Sequence, residues 1–359
     1  MVDCANRTGK VSKMKKLTLI KTLILMGLGT LVLGLIPGLP NQCYAQAPVI
    51  SKRNTTWIAL GGQWRRGLSV VINGESSITV VGVGTDDTRW TIESHDSGKT
   101  WGNSIGHKGA LLSAPACDSG RCFWVSTGGF LWSQVGDGEF VGGISGMKAT
   151  ADPSVVDNYV FAHGANDDAL WFARTNAGKL SGDWISMGGA LKGGPSCFKD
   201  DPIPLSVYKN ATTFTCYVVG ADDAVWVEHT EVEYLKGTSS IITGYHYVWT
   251  KVGGQAIGGV NAFHSNYKFS SIPLPGNSSI TTSTSSLNLA VRGTDSTLWL
   301  GHWVAKPAPE TDSEWQWKNY LGKISSVPAC ANIVGTARNY CFAILPDGQL
   351  GMLDLTGAL

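Results

Sequence analysis

Charge is scarce in this sequence: Asp, Glu, Lys and Arg together make up 15% of its 359 residues. Helical periodicity is missing throughout the part expected to fold, which argues against an α or α/β architecture. The seven histidines (His95, His107, His163, His229, His246, His264, His302) show no His-x-His or His-Glu-x-x-His spacing, so the common zinc-enzyme frames are excluded. No CxxC pair is present, which removes the usual structural zinc sites. The acidic pairs Asp86-Asp87, Asp167-Asp168 and Asp222-Asp223 lack the alternating ligands of a calcium loop. No cofactor or metal is therefore expected.

A basic excess is missing too. Lys13, Lys15, Lys16 and Lys21 precede an apolar run over Thr22–Leu39 and a small-residue end at Cys43-Tyr44-Ala45. This has the layout of a secretory signal peptide over 1–45, with translation starting at Met1 or at Met14. The apolar run is short of the ~20 residues a membrane span needs, and no lipobox precedes Cys43. Removing 1–45 leaves 22 basic against 26 acidic residues, a net charge of −4. Nucleic acid is thereby excluded as a partner, because phosphate binding needs a basic footprint. The mature chain, 46–359, is expected to lie outside the cytoplasm, in the periplasm or the extracellular space, with no membrane span.

What the sequence does have is glycine, 45 residues of it, and 14 tryptophans. They recur in one unit, seen most cleanly as Val218-Val-Gly-Ala-Asp-Asp-Ala-Val-Trp226. Related copies end at Trp90, Trp171 and Trp299, and degenerate ones cover Thr127–Trp132 and Leu345–Gly351. Each reads as a strand, a Gly/Asp turn and a second strand, since Gly supplies positive φ and Asp bonds the local backbone. A second signature follows most copies: a Trp, a Gly-rich turn and a Pro, as in Trp184…Pro195-Ser-Cys197 and Trp317…Pro328-Ala-Cys330. Looser forms are Trp101…Pro115-Ala-Cys117 and Trp249-Thr-Lys-Val-Gly-Gly. Four antiparallel strands per repeat predict a six-bladed β-propeller in a single domain, with seven blades as the alternative count. The last blade lacks its outer strand, and Trp57-Ile-Ala-Leu-Gly-Gly62 has the form of that strand. The N-terminal strand is thus expected to close the ring and remove the open edges.

Six cysteines remain after residue 45. They fall into local pairs, Cys117 with Cys122, Cys197 with Cys216 and Cys330 with Cys341, each expected as a disulfide between the first two strands of a blade. Ser94-His-Asp-Ser-Gly-Lys-Thr-Trp101 matches an Asp-box, read here as a structural hairpin turn. Residues 231–247 and 264–288 read as long insertions, the second a flexible Ser/Thr-rich loop; 306–314 reads as a further surface loop.

The pattern Gly-x-Asp-x-x-Leu-Trp…Trp-x-x-Leu-Gly-Gly…Ser-x-Pro over most of 57–352 resembles the tectonin-like and bacterial fucose-binding propeller lectins. The Asp-box resembles those of sialidases. The lectin resemblance implies sugar binding, fucosylated glycans among the ligands, in clefts between blades through aromatic stacking and a few polar groups. Candidate residues are the turn tryptophans and the residues three positions later: Trp90 and Glu93, Trp171 and Arg174, Trp226 and His229, Trp299 and His302. Because i and i+3 lie on opposite strand faces, the Trp of one blade is expected to meet the polar residue of its neighbour. A sialidase-like hydrolase is the minor alternative: it needs an arginine cluster or two opposed carboxylates, and none of the mature arginines stands in a catalytic frame. An enzyme is therefore not expected. The other alternative is a non-enzymatic platform that docks a protein partner on 231–247 and 264–288.

Overall fold

In a computed structural model, the described residues are 56–358, apart from 119, 136–139, 177, 200–212, 235–241, 274–278, 305–313 and 334–335. The signal segment expected over 1–45 lies outside them. So do residues 306–313 of the predicted surface loop; Glu314 opens a strand.

Six antiparallel sheets form a six-bladed propeller. From the axis outward, blade one holds Trp64–Asn73, Ser77–Gly84, Arg89–Ser94 and Ile105–Gly106. Blade two holds Ala116–Asp118, Arg121–Val125, Phe130–Val135 and Phe140–Lys148. Blade three runs Ser154–Val156, Tyr159–His163, Leu170–Asn176 and Ile185–Gly188, with a two-residue side strand, Lys179–Leu180. Blade four is Ser196–Lys199, Phe214–Val219, Val225–Tyr234 and Ile242–Gly253. Blade five is Ala256–Pro273, Ser279–Gly293, Thr297–Val304 and Glu314–Lys323. Blade six takes Ala329–Asn332, Asn339–Ile344 and Leu350–Asp354, then Ile58–Gly61 from the N-terminal side as its outer strand. Ile58 pairs with Met352 and Ala59 with Gly351, so the ring closes as the sequence predicts.

Strand alternation divides the core among the blade interfaces. In Phe214–Val219, Cys216 and Val218 pack toward Phe161 and Leu170 of blade three, while Tyr217 and Val219 pack toward Ala262, Leu289 and Val291 of blade five. Near the axis, side chains tie blades three to six in series. Ser154 Oγ accepts from Cys197 N at 3.0 Å, Ser196 Oγ from Ala262 N at 3.0 Å, and Asn261 Oδ1 from Cys330 N at 2.7 Å.

The three expected disulfides form, each across the first two strands of its blade. Cys117 bonds to Cys122 in blade two, Cys197 to Cys216 in blade four and Cys330 to Cys341 in blade six. In every case the two cysteines stand directly opposite each other in the strand register, which is why local spacing in the sequence was enough to pair them.

The segment Ser94–Trp101 is the structural turn expected. Asp96 accepts from Ser94 Oγ, Lys99 N, Thr100 N and Thr100 Oγ1. These bonds, those of Thr100 foremost, hold its carboxyl down at about 2. Tyr340 Oη and an Arg338 N–H both donate to Ser97 O, docking the turn on blade six.

The loop expected over 264–288 is not found in its described part: the backbone of 264–273 and 279–288 continues two paired strands, with Ser265 opposite Ser286, Tyr267 opposite Thr284 and Ile272 opposite Ile280. The compositional reading ignored the Thr and Ile content, whose β-branched side chains favour extended backbone. Residues 231–234 and 242–247 likewise extend two paired strands, with Glu231 opposite His246. In an up-and-down blade the first and third turns share one face. Both long hairpins therefore rise from the face opposite the Gly/Asp turns.

Strain is local. Where other blades have Gly61, Gly188 and Gly253 at positive φ, blade five places Leu321 at φ 56°, with 65% of its surface exposed. A left-handed L-residue costs about 1–2 kcal/mol, offset in part by glycine's greater unfolded entropy. Leu321→Gly is expected to stabilise the protein by about 0.5–1 kcal/mol, read as a raised thermal midpoint. An unchanged or lower midpoint would refute the strain.

Candidate functional site

The recurring unit builds a local clamp before it builds a site. In four blades the turn aspartate accepts a hydrogen bond from the indole Nε1 four residues later: Asp86–Trp90 at 3.0 Å, Asp167–Trp171 at 3.1 Å, Asp222–Trp226 at 3.0 Å and Asp295–Trp299 at 3.2 Å. The same carboxylates accept from the turn backbone at Thr88, Ala169, Ala224 and Thr297. The ring then lies over the glycine that opens the turn. A Cβ at Gly220 would come within 2.7 Å of Trp226, and one at Gly293 within 2.5 Å of Trp299. Glycine is required there for close approach.

These bonds leave their mark on the carboxyls. Lys251 Nζ, 2.7 Å from Asp222 Oδ2, is the largest cause of a well-lowered Asp222, and Trp226 adds to it. Asp86 is lowered chiefly by Thr88 N–H. At Asp295 burial pulls upward, but the bonds from Thr297 and Trp299 prevail and the group is lowered. All three are anionic acceptors at neutral pH.

A second tryptophan completes the clefts of Trp226 and Trp299, and here sequence reasoning missed residues. Trp249, on the outer strand of blade four, sits on Gly189 of the preceding connection, and its Nε1 donates to Met187 O of blade three at 3.0 Å. Trp317 of blade five sits on Gly254 in the same way. Between blades three and four this leaves a cleft of about 380 Å³ lined by Gly189, Ala190, Asp222, Trp226 and Trp249. Its counterpart between blades four and five, about 470 Å³, is lined by Gly254, Gln255, Asp295, Trp299 and Trp317. The available signal was spacing: Trp57, Trp101, Trp184, Trp249 and Trp317 each have Gly five residues on.

The residues at +3 do not join these clefts. Glu93 accepts from Thr79 Oγ1 and faces His95 at 3.5 Å. His229 Nδ1 lies 3.0 Å from Thr215 Oγ1, and His302 Nδ1 lies 2.6 Å from Asn288 Oδ1, each within its own blade. Burial, and then the Lys318 charge, lower the His302 imidazole. Arg174 differs. It lines a lower cleft of about 360 Å³ between blades three and four, with Phe172, Phe214, Tyr245, Tyr247 and Asp183. The expected pairing of a turn Trp with a neighbour's +3 residue is thus replaced by two tiers. The Trp faces the preceding blade near the Gly/Asp turns, while Arg174 faces the following blade nearer the long hairpins.

The other arginines are engaged one by one around the ring. Arg65 pairs with Asp87, Arg66 with Leu112 O, Arg89 with Gln134, Arg121 with Asn158 and Asp157 O, and Arg292 with Ser325 O. Among the described residues, no group of three or more His, Cys, Asp or Glu side chains is placed to hold a metal ion.

Solved structures share this architecture. The fucose-specific lectin from Aleuria aurantia (mercury-derivative form) superposes with a TM-score of 0.50 at 10% identity, covering 84% of this chain and 93% of that one. AofleA from Arthrobotrys oligospora superposes with a TM-score of 0.51 at 11% identity, over 81% and 83% of the two chains. The similarity is one of fold. No family model matches the sequence, and no curated protein matches it.

Proposed function

We propose that this protein is a secreted, non-enzymatic lectin that binds glycans, fucosylated ones among them, in its inter-blade clefts. One observation carries the reading: the same cleft recurs at successive blade interfaces, with two indole rings, one anionic aspartate and a glycine floor. A sugar presents an apolar ring face and outward hydroxyls. Tryptophan rings take the first, and an ionised carboxylate and exposed backbone take the second. The lower cleft adds what the upper ones lack, a guanidinium donor at Arg174 and a carboxylate at Asp183 in one lining with an aromatic wall. The Aleuria aurantia neighbour, a fucose-specific lectin, supports the choice of fucosylated glycans as first ligands.

The test is a glycan array probed with the mature chain from Gln46, disulfides intact. Binding should fall at least about tenfold in Trp226→Ala, and again in Arg174→Ala, the loss of about 1.4 kcal/mol or more. Shortening the hairpin over 266–286 should leave it unchanged. Silence across the array, or binding that ignores both substitutions, would sink the reading. Binding lost only with the hairpin would instead favour a docking platform on the two long hairpins.

A further inference from the structure

We infer that the lower cleft between blades four and five is a site for a trimethylammonium group, a ligand class different from the glycan proposed above and independent of that reading. Three aromatic rings wall it. Tyr217 meets Trp315 edge-on, with centroids 5.9 Å apart at 76°, and Trp303 meets Trp315 at 5.4 Å and 60°. Rings set at steep angles to one another present π faces in several directions around one space, the arrangement that receives a quaternary ammonium. Val227 closes the wall, and Glu314, which accepts from Gln316 Nε2 at 3.3 Å, puts a carboxylate on the same lining. The space is about 600 Å³, room for the headgroup and the chain that carries it.

Trp303 is the observation that most needs a cause. It is 48% exposed, while every other tryptophan of the chain is buried or half-buried. Packing does not require an open indole at this position; the equivalent residue of blade four, four after its turn tryptophan, is Thr230. Charge sets the sign of the ligand. The cation in this lining, Lys251, has its ammonium 2.7 Å from Asp222 Oδ2 and 5.8 Å from the Trp226 ring, so it is drawn toward the upper cleft and its charge is offset there. An occupant therefore meets the open Trp303 indole, the Trp315 and Tyr217 rings and the Glu314 carboxylate. The lower cleft one interface back carries Arg174 in its lining, which opposes a cation. The two lower clefts therefore take different ligands.

The experiment titrates the mature chain with choline, and separately with 3,3-dimethylbutanol, its uncharged isostere, following tryptophan fluorescence and heat. Choline should bind saturably and at least about tenfold more tightly than the isostere, because cation–π attraction requires the charge. Trp303→Ala should abolish the tighter binding; its exposure means that the thermal midpoint should hold. Glu314→Gln should weaken choline about threefold to tenfold and leave the isostere unchanged, a readout that survives even if the alanine variant misfolds. Arg174→Ala should change neither. No saturable choline binding, equal binding of the isostere, or indifference to both cleft substitutions would overturn the inference. Glycan binding, present or absent, bears on neither result.

Discussion

Trp249→Ala is expected to lower the stability of the propeller by about 3–4 kcal/mol, from a half-buried indole removed without refilling and a buried carbonyl left without its donor. The ring rests on Gly189, and its Nε1 donates to Met187 O across the blade boundary at 3.0 Å. Met187 is 3% exposed, so water does not readily replace the bond. Trp249→Phe keeps most of the ring contact and loses the donor, and should cost about 1 kcal/mol. Thermal or urea unfolding of the two variants gives both numbers. The alanine variant should also lose ligand at the cleft between blades three and four, while the cleft of Trp299 and Trp317 remains. A midpoint within about a degree of the parent would mean that Trp249 does not bridge the blades, since a loss of about 3 kcal/mol moves a domain of this size several degrees.

Asp152→Asn is expected to stabilise the protein, and only above pH 4. Asp152 sits on the axial channel with Pro153 and Ser154, surrounded by inner strands although its edge remains accessible. Its Oδ1 accepts from Ala114 N at 2.8 Å. Burial pushes the carboxyl up to about 6, against the opposing pull of that bond. A raised carboxyl pKa means that the folded state disfavours the ionised form. Below the unfolded value of 3.8 the group is protonated in both states and costs nothing. As pH rises from there through about 6, stability is lost, by about 2–3 kcal/mol in all. Asparagine keeps an acceptor for Ala114 and never ionises. The stability difference between variant and parent should therefore open between pH 4 and 6 and stay constant above. The lowered carboxyls of Asp86, Asp96 and Asp295 titrate at lower pH and cancel in that difference. A gap independent of pH would show that Asp152 does not ionise in the channel.

Legibility in the sequence followed the range of the interactions. The Gly/Asp turn, the strand that enters it and the strand that leaves it are short-range chemistry, so the repeat at 218–226 predicts its hairpin directly. Repetition then identified a propeller, and the missing outer strand after Leu350 identified Trp57–Gly62 as its closure. The cysteine pairs were legible for the same reason: Cys122, Cys216 and Cys341 each lie near the start of the strand next to their partner's. The hairpin over 264–288 was not: Ser/Thr-rich composition looks alike in a loop and in a paired strand, and only the partner strand distinguishes them.

The site depended on something the repeat does not contain, the face of the next blade. Alternation along a strand says that Trp226 and His229 point apart; it does not say what stands opposite either. The sequence alone determined a propeller, its disulfides and the turns that clamp four tryptophans, because those are contacts between neighbours in the chain; the closing strand was legible only by its form, since it pairs with the far end of the chain, and the structure decided six blades over seven. Only the tertiary structure decided that Trp249 and Trp317, rather than the +3 residues, complete the upper clefts, that Arg174 faces a separate aromatic wall, and that Trp303 is left open. Those positions depend on how one twisted sheet packs against the next, a contact between residues far apart in sequence.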